Sequence, residues 1–389
     1  MTVSRSFSIT QPTQIHFGAG LINSLPKILA RTGGTKPLLV LDPGLVKAGL
    51  DNTIRTPLDT AGIDYIVYDR IDPEPGLRLA DAGTELARTN NCDCVIGVGG
   101  GSAMDVAKAI SILLTNGGHA VDYLGLGKIN KPGVPKIMVP TSAGTGAEVT
   151  FTAVFINEET GSKGGMNGDP LYPDVALLDP ELTLSLPPQV TATTGIDALT
   201  HALEAFTSTQ AHPISEMYSI RAMELIADNI RSAYADGRNI EARSNMLLGS
   251  LLGGKALATA GVGLVHAMAY PLGGMFGIAH GLANAVLLPY VTEFNLIGNL
   301  NKHALLAEIL GQDVSGLSLR DAAEVTVEEL HLLNQDLGIP KSLQELNISE
   351  DKLPEMAEIA LTVARPVENN PRQPSKEDII AIYQEAMAG

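Results

Sequence analysis

A chain of 389 residues is longer than one hydrophobic core usually supports, so two domains are expected. Its 45% hydrophobic and 18% charged residues exclude a disordered chain. The net charge of −17 comes from 14 basic and 19 acidic side chains in residues 1–186 and 12 and 24 in 187–389; so acidic a surface repels phosphate backbones and anionic lipid, which argues against nucleic acid or a membrane as partner.

Met1 to Thr13 is polar and holds no apolar stretch of the secretory kind, so a cytoplasmic location is expected. The only cysteines, Cys92 and Cys94, are one residue apart; a disulfide there would be strained, so both read as small buried thiols. The opening FSITQPTQIHFGAG alternates as an edge hairpin would. Lys36 to Leu41 is a short apolar strand that ends in the turn Asp42-Pro43-Gly44. Ile66 to Tyr68 is another strand, Ala80 to Thr89 has helical spacing, and Cys94 to Val98 is a third strand. Strands alternating with helices in this way predict a parallel, doubly wound, Rossmann-like α/β domain.

The third strand delivers the chain to Gly99-Gly100-Gly101-Ser102 and a helix bearing Asp105 and Lys108. Ligand oxygens can approach such backbone closely, and the first N–H groups of the helix point at them, so the stretch suits a phosphate. A tight turn that binds nothing explains three successive glycines poorly, because each loses much backbone entropy on folding. The usual dinucleotide pattern is not met: Ser102 stands where its third glycine would fall, and the acidic residue Asp42 lies upstream. Asp42 has two readings, an acceptor for ribose hydroxyls or a turn former before Pro43.

A glycine- and proline-rich loop, Gly117 to Pro135, precedes the strand Ile137 to Val139, which runs into PTSAGTGAEVT. Hydroxyls and glycines at a strand's carboxyl end suit the ribose and nicotinamide side of a cofactor. A hairpin is expected next, from Phe151 to Ile156, turning at Glu158 to Gly161, with Lys163 on the return as a solvated charge. From Pro187-Pro188 the pattern is helical, which sets the domain boundary at 186. In TTGIDALTHALEAF, Thr193 or Thr194 is placed as a helix cap, and Asp197 and His201, four apart, share one face of that helix. A surface Asp pairing with a helical His would look the same.

Ala256 to Thr292 has no Asp, Glu, Lys or Arg, yet holds His266 and His280. Although long enough to span a bilayer, it carries six glycines and two prolines and would leave both imidazoles unpartnered in lipid. It therefore reads as a domain interior bent at Pro271 and Gly273-Gly274. Asp197, His201, His266 and His280 together are a candidate ligand set. Leu257, Val262 and Phe276 are candidates for an apolar wall, a plain core role being the alternative. Beyond Glu293 the helices are amphipathic, and Ser318 with Asp321 and Ser375 with Asp378 read as capping boxes.

Five blocks, GGGSAMDVAK (99–108), PTSAGTGAEVT (140–150), GIDALTHALEAF (195–206), LVHAMAYPLGG (264–274) and HGLANAVLLP (280–289), resemble in order and spacing those of the iron-dependent, group III alcohol dehydrogenases, over essentially the whole chain. That resemblance implies an NAD-binding α/β domain (1–186), an all-helical metal-binding domain (187–389) and catalysis in the cleft between them. By it, the metal ligands are Asp197, His201, His266 and His280. The pyrophosphate site is Gly99, Gly100, Gly101, Ser102 and Asp105, the nicotinamide-side contacts are Thr141, Ser142 and Thr145, Lys163 is a further cofactor contact, and Asp42 favours NAD(H) over NADP(H). Several relatives have a proton-relaying histidine four residues after the third ligand. Tyr270 stands there, a phenol with an ordinary pKa of about 10, so the relay is expected to run through water or ribose hydroxyls.

The implied reaction is hydride transfer between a small alcohol or aldehyde and NAD(H), with the substrate oxygen on a divalent ion. Imidazoles suit Fe²⁺ and Zn²⁺ alike, so Fe²⁺ rests on the resemblance alone. A homodimer or larger assembly is the family habit. The rivals are a dehydroquinate-synthase-like or glycerol-dehydrogenase-like enzyme of the same plan, and a metal-free reductase or NAD-binding module.

Overall fold

The computed structural model describes residues 6–389, which form two compact units. One comprises Thr10–Ser142 and Gly146–Ser185; the other comprises Leu186–Gly389 with Ala143–Thr145 and the described residues up to Ile9. The first five residues of the polar opening lie outside the described ones.

The first unit is α/β. In chain order it runs β1 (Gln14–Phe17), α1 (Leu25–Thr32), β2 (Pro37–Leu41), α2 (Pro43–Lys47), α3 (Asp51–Thr60), β3 (Ile66–Tyr68), α4 (Leu77–Thr89), β4 (Cys94–Gly99), α5 (Gly101–Asn116), β5 (Gly125–Leu126), β6 (Lys136–Pro140), β7 (Thr152–Asn157), β8 (Ser162–Asn167) and β9 (Val175–Leu178). Six strands form one sheet, ordered β1-β9-β6-β4-β2-β3, and every pairing is parallel. Alternate residues of a strand face opposite ways. Leu38, Val40 and Met138 therefore join α4 and α5 in one core layer, while Leu39, Leu41, Ile96 and Val139 join α1 and α3 in the other. A sheet covered on both faces explains why β2 is uniformly apolar.

β2 is followed in sequence by β3 on one side of it and by β4 on the other, so the winding reverses between β2 and β4. In an open α/β sheet the crevice at such a reversal, beyond the strands' carboxyl ends, is where ligands bind. Asp42 and Gly99 occupy those two ends. At Gly99 φ is +149°, and a Cβ would lie 2.6 Å from Asp42 Cβ and 2.9 Å from Ala103 Cβ, so only glycine lets the loop pass this close.

The second unit is helical: α6 (Pro188–Thr207), α7 (Pro213–Ala235), α8 (Ile240–Ala260), α9 (Leu264–Phe276), α10 (His280–Asn295), α11 (Leu300–Ile309), α12 (Leu319–Asp336), α13 (Leu353–Thr362), α14 (Ala364–Asn369) and α15 (Lys376–Ala388). α6 packs against α7, α8 and α10, and α9 against α10 and α13. Among the described residues no single helix is long and apolar enough to cross a membrane.

Four expectations are corrected. The opening alternation is no hairpin: β1 pairs in parallel with β9, about 160 residues on, as the sheet's edge. Thr193 and Thr194 are not caps. The helix starts at Pro188, where proline's missing N–H costs nothing, and both hydroxyls bond back to carbonyls of Gln189 and Val190. The uncharged run does not break at Pro271 and Gly273-Gly274, which lie inside α9. It breaks at Gly261 and Gly277, both with positive φ, and α8 meets α9 at 104°. Ser375 and Asp378 form a full capping box, whereas Ser318 only accepts from the Asp321 N–H.

The hairpin of β7 and β8 is present and is tied to α5 by Lys108, fully buried, whose Nζ donates to Thr150 Oγ1 and Thr152 O. Cys92 and Cys94 are buried free thiols; burial raises both pKa values, which removes thiolate reactivity. Asp93 staples β2 to β4, its carboxylate accepting from the Thr35 and Lys36 N–H groups and the Thr35 hydroxyl. Burial disfavours the charge, but these bonds outweigh it and hold the carboxyl at about 2. Because that value lies below the unfolded one, the stabilisation is present above about pH 4 and is lost as pH falls toward the folded value. The melting-temperature gap between the wild type and Asp93→Asn should therefore narrow from about pH 6 to about pH 3; a gap independent of pH would contradict this.

Candidate metal centre and nucleotide loop

Asp197, His201 and Glu204 stand at i, i+4 and i+7 on α6 and so share one face. His266 is the third residue of α9, and His280 the first of α10. Folding brings the four predicted ligands together: one ligand atom from each of Asp197, His201, His266 and His280 lies within 4.8 Å of the others. Asp197 Oδ1 is 3.9 Å from His201 Nε2, 4.0 Å from His266 Nε2 and 3.8 Å from His280 Nε2. Atoms so spaced can share a divalent ion at about 2.0–2.2 Å from each.

The electrostatics also fit an ion. Burial pushes the His201 pKa down, with Asp197 opposing, which favours the neutral ring and its lone pair. His201 Nδ1 makes no hydrogen bond of normal geometry, and the Gly144 backbone nearby acts to favour protonation. Burial alone would raise the Asp197 pKa, but the three imidazoles and Asn284 bring it below its ordinary value. A buried carboxylate with no fixed positive charge beside it wants a counter-charge, and a divalent cation provides one.

α9 is held from outside at its N-terminus, because its N-cap, Gly263, has no side chain to offer. Glu204 Oε1 accepts from the Val265 N–H at 2.6 Å, and Asn370 Oδ1 accepts from the Leu264 N–H at 3.2 Å. The other oxygen of Glu204 lies 2.6 Å from His266 Nδ1. That bond keeps the ring hydrogen on Nδ1 and presents the Nε2 lone pair to the ligand cluster, the arrangement of a carboxylate–histidine–metal triad. α10 approaches α6 through Gly281, where a Cβ would sit 2.6 Å from Thr193 O, and this contact sets His280 beside Asp197. The sequence reading missed Glu204 and Asn284. Glu204 had a signal in its helical register with the two ligands of α6.

Tyr270 is half-buried, one turn beyond His266 on α9. Leu257, Val262 and Phe276 are half-buried at the end of α8, in the following loop and at the end of α9. In the α/β unit, Asp42, Gly99, Gly100, Gly101 and Ser142 come together: Asp42 flanks Gly99, and Ser142 Oγ lies 3.6 Å from where a Cβ of Gly100 would be. No side chain caps α5, leaving its first turn suited to an anion. Thr141 donates its N–H to Gly99 O, and Ser102 Oγ donates to Pro73 O.

Asp105 accepts from the Val154 N–H and pairs with Lys108, so it braces α5 against β7; burial raises its pKa, and Lys108 opposes. Asp42 accepts from the Gly44 N–H as the cap of α2, so it is a turn former whatever else it does. Lys163 is paired with Glu74 at 2.6 Å and is mostly buried, not a solvated charge. Thr145 belongs to the three-residue segment of the helical unit.

A doubly wound unit of the nucleotide-binding type, together with a helical unit whose one carboxylate and three imidazoles could hold a metal ion, suits a metal-dependent, nucleotide-using enzyme. Residues 12–180 match the family described as iron-containing alcohol dehydrogenase, and residues 191–387 match the C-terminal region of the Fe-containing alcohol dehydrogenase family. The chain is 41% identical to a 1,3-propanediol dehydrogenase of Citrobacter freundii, over 98% of this chain and 99% of that one. It is 43% identical to long-chain-alcohol dehydrogenase 1 of Geobacillus thermodenitrificans, over 100% and 98%. A crystal structure of a 1,3-propanediol oxidoreductase superposes with a TM-score of 0.96 at 40% identity, covering 98% of this chain and all of the other. The protein thus belongs to the iron-containing alcohol dehydrogenases.

If Glu204 fixes His266, Glu204→Ala should lower metal affinity by about 10–100-fold, read as metal retained per chain after dialysis. Retention equal to the wild type would contradict that role.

Proposed function

We propose that this chain interconverts small alcohols and aldehydes with NAD(H), residues 1–186 binding the dinucleotide and residues 187–389 holding Fe²⁺, or another divalent ion, through Asp197, His201, His266 and His280. One observation carries the reading: four side chains spread over 84 positions of sequence present their ligand atoms within 4.8 Å of one another. The ion supplies Lewis acidity toward the substrate oxygen, and NAD supplies the hydride acceptor.

The remaining work belongs to the chain. Glu204 keeps His266 in the ligating tautomer, and Asp197 contributes the one negative charge, so the set leaves a divalent ion net positive. Backbone N–H groups at Gly99 to Ser102 receive the pyrophosphate at the start of α5. Asp42 accepts from the adenosine ribose and repels a 2′-phosphate, which selects NAD(H). Thr141, Ser142 and Thr145 take the nicotinamide side, and Lys163 is a further contact, while Asp105 acts by bracing α5. Tyr270, a phenol where several relatives have a histidine, donates and accepts hydrogen bonds, and the alcohol proton leaves through water or ribose hydroxyls. The printed names of the relatives above, one for 1,3-propanediol and one for long-chain alcohols, support an alcohol carbon as the reacting centre. We assign the protein to the cytoplasm, as a homodimer or larger homo-oligomer.

Purified protein loaded anaerobically with Fe²⁺ should accumulate NADH from NAD with an alcohol as the sole other substrate, lose that activity on chelation, and regain it on reloading. Turnover that survives complete metal removal would overturn the assignment. So would NAD that is reduced only transiently and never accumulates as NADH, the behaviour of a synthase of the same plan.

A further inference from the structure

This inference rests on the metal centre proposed above and concerns a residue outside its ligand set. Asn284 is fully buried and stands one turn beyond His280 on α10, so both side chains leave the same face of that helix. Its Nδ2 donates to Asp197 Oδ1 at 2.6 Å and lies 3.3 Å from His266 Nε2 and 3.2 Å from His280 Nε2. Because Glu204 holds the hydrogen on His266 Nδ1, His266 Nε2 offers a lone pair. The amide group thus sits among three of the four ligand atoms the ion needs. Its carbonyl oxygen, equally buried, has no hydrogen-bond partner among the described residues. Turning the amide by half a rotation would put that oxygen against the Asp197 carboxylate and the His266 Nε2 lone pair, so the observed orientation is the one these two acceptors impose.

A lone pair engaged by an N–H cannot also bind a cation. We propose that Asn284 competes with the metal for the Nε2 lone pairs of His266 and His280, whereas Asp197 Oδ1, with a second lone pair, can keep the amide and also take the ion. One hydrogen of its NH₂ group goes to Asp197 and the other is shared between the two rings, so the group holds the three ligands converged when the ion leaves, and the ion must displace the shared hydrogen when it enters. Asn284 therefore makes binding weaker and more reversible while keeping the ligand set assembled.

The test uses Asn284→Leu, which keeps the branching and size of the side chain but has no donor, and Asn284→Ala, which adds no bulk should the leucine prevent folding. Fe²⁺ affinity is measured anaerobically by competition with a chelator, and melting temperature is measured on chelated and loaded protein; neither reads turnover. Both variants should melt lower than the wild type when chelated and lose much less when loaded. They should also bind Fe²⁺ about two- to tenfold more tightly, the effect of removing one competing hydrogen bond to a ring nitrogen. Weaker Fe²⁺ binding would overturn the proposal by making Asn284 a support of the loaded centre. Equal melting losses in both states with unchanged affinity would overturn it by making Asn284 a packing residue. Wild-type protein that binds no Fe²⁺ sinks this proposal together with the metal reading; wild-type binding with indifferent variants sinks this proposal alone.

Discussion

The helical unit is built around one electrostatic demand: Asp197 carries a charge where only 2% of the residue is exposed. Burial favours the neutral acid, yet three imidazoles and an amide converge on it and hold it ionised. None of these neighbours carries a fixed positive charge, and a buried anion left in that state is costly. A divalent cation answers the demand, which is why the same four side chains read as a ligand set in geometry and in charge. Much of the surrounding structure can be understood as the means of delivering them. Two ligands come from one helix face, and the other two from the first turns of α9 and α10.

That delivery depends on groups that never touch an ion. α9 begins at a glycine, so its first N–H groups are satisfied by Glu204 of α6 and by Asn370 just past α14, and Glu204 also sets the tautomer of His266. One acidic side chain thus fixes both the position of a helix and the protonation of its ligand. Asn370 is itself held by Asn295, so the last turn of α10 and the start of α9 share one polar network. In the α/β unit the same logic is met by backbone alone. The reversal of strand order opens the end of the sheet between Asp42 and Gly99, and the uncapped start of α5 lies there.

Local signals made a good part of this legible. The alternation of apolar strands with helices, the run Gly99 to Gly101, and histidines inside an uncharged stretch each carry their meaning within a few residues, so the fold class and the four candidate ligands that converge could be read before any coordinates. What depended on distant partners could not be. β1 looks like half of a hairpin because nothing near it says that Asp174 and β9 will take its hydrogen bonds. Six glycines in one stretch offer many places to bend, and only the positive φ at Gly261 and Gly277 shows which were used. Glu204 and Asn284 read as an ordinary helical acid and amide until folding sets them against His266 and Asp197. Lys163 reads as a solvated charge until Glu74, 89 residues earlier, is found beside it.

The central claim is that Asp197, His201, His266 and His280 hold one ion in common. Anomalous diffraction at the iron edge, from crystals of protein loaded anaerobically with Fe²⁺, tests it most directly. A single strong peak per chain at about 2.0–2.2 Å from the Asp197 carboxylate and the three Nε2 atoms is the predicted result. Loaded crystals with no peak at this cluster, or with iron bound elsewhere while the four side chains keep their places, would contradict it.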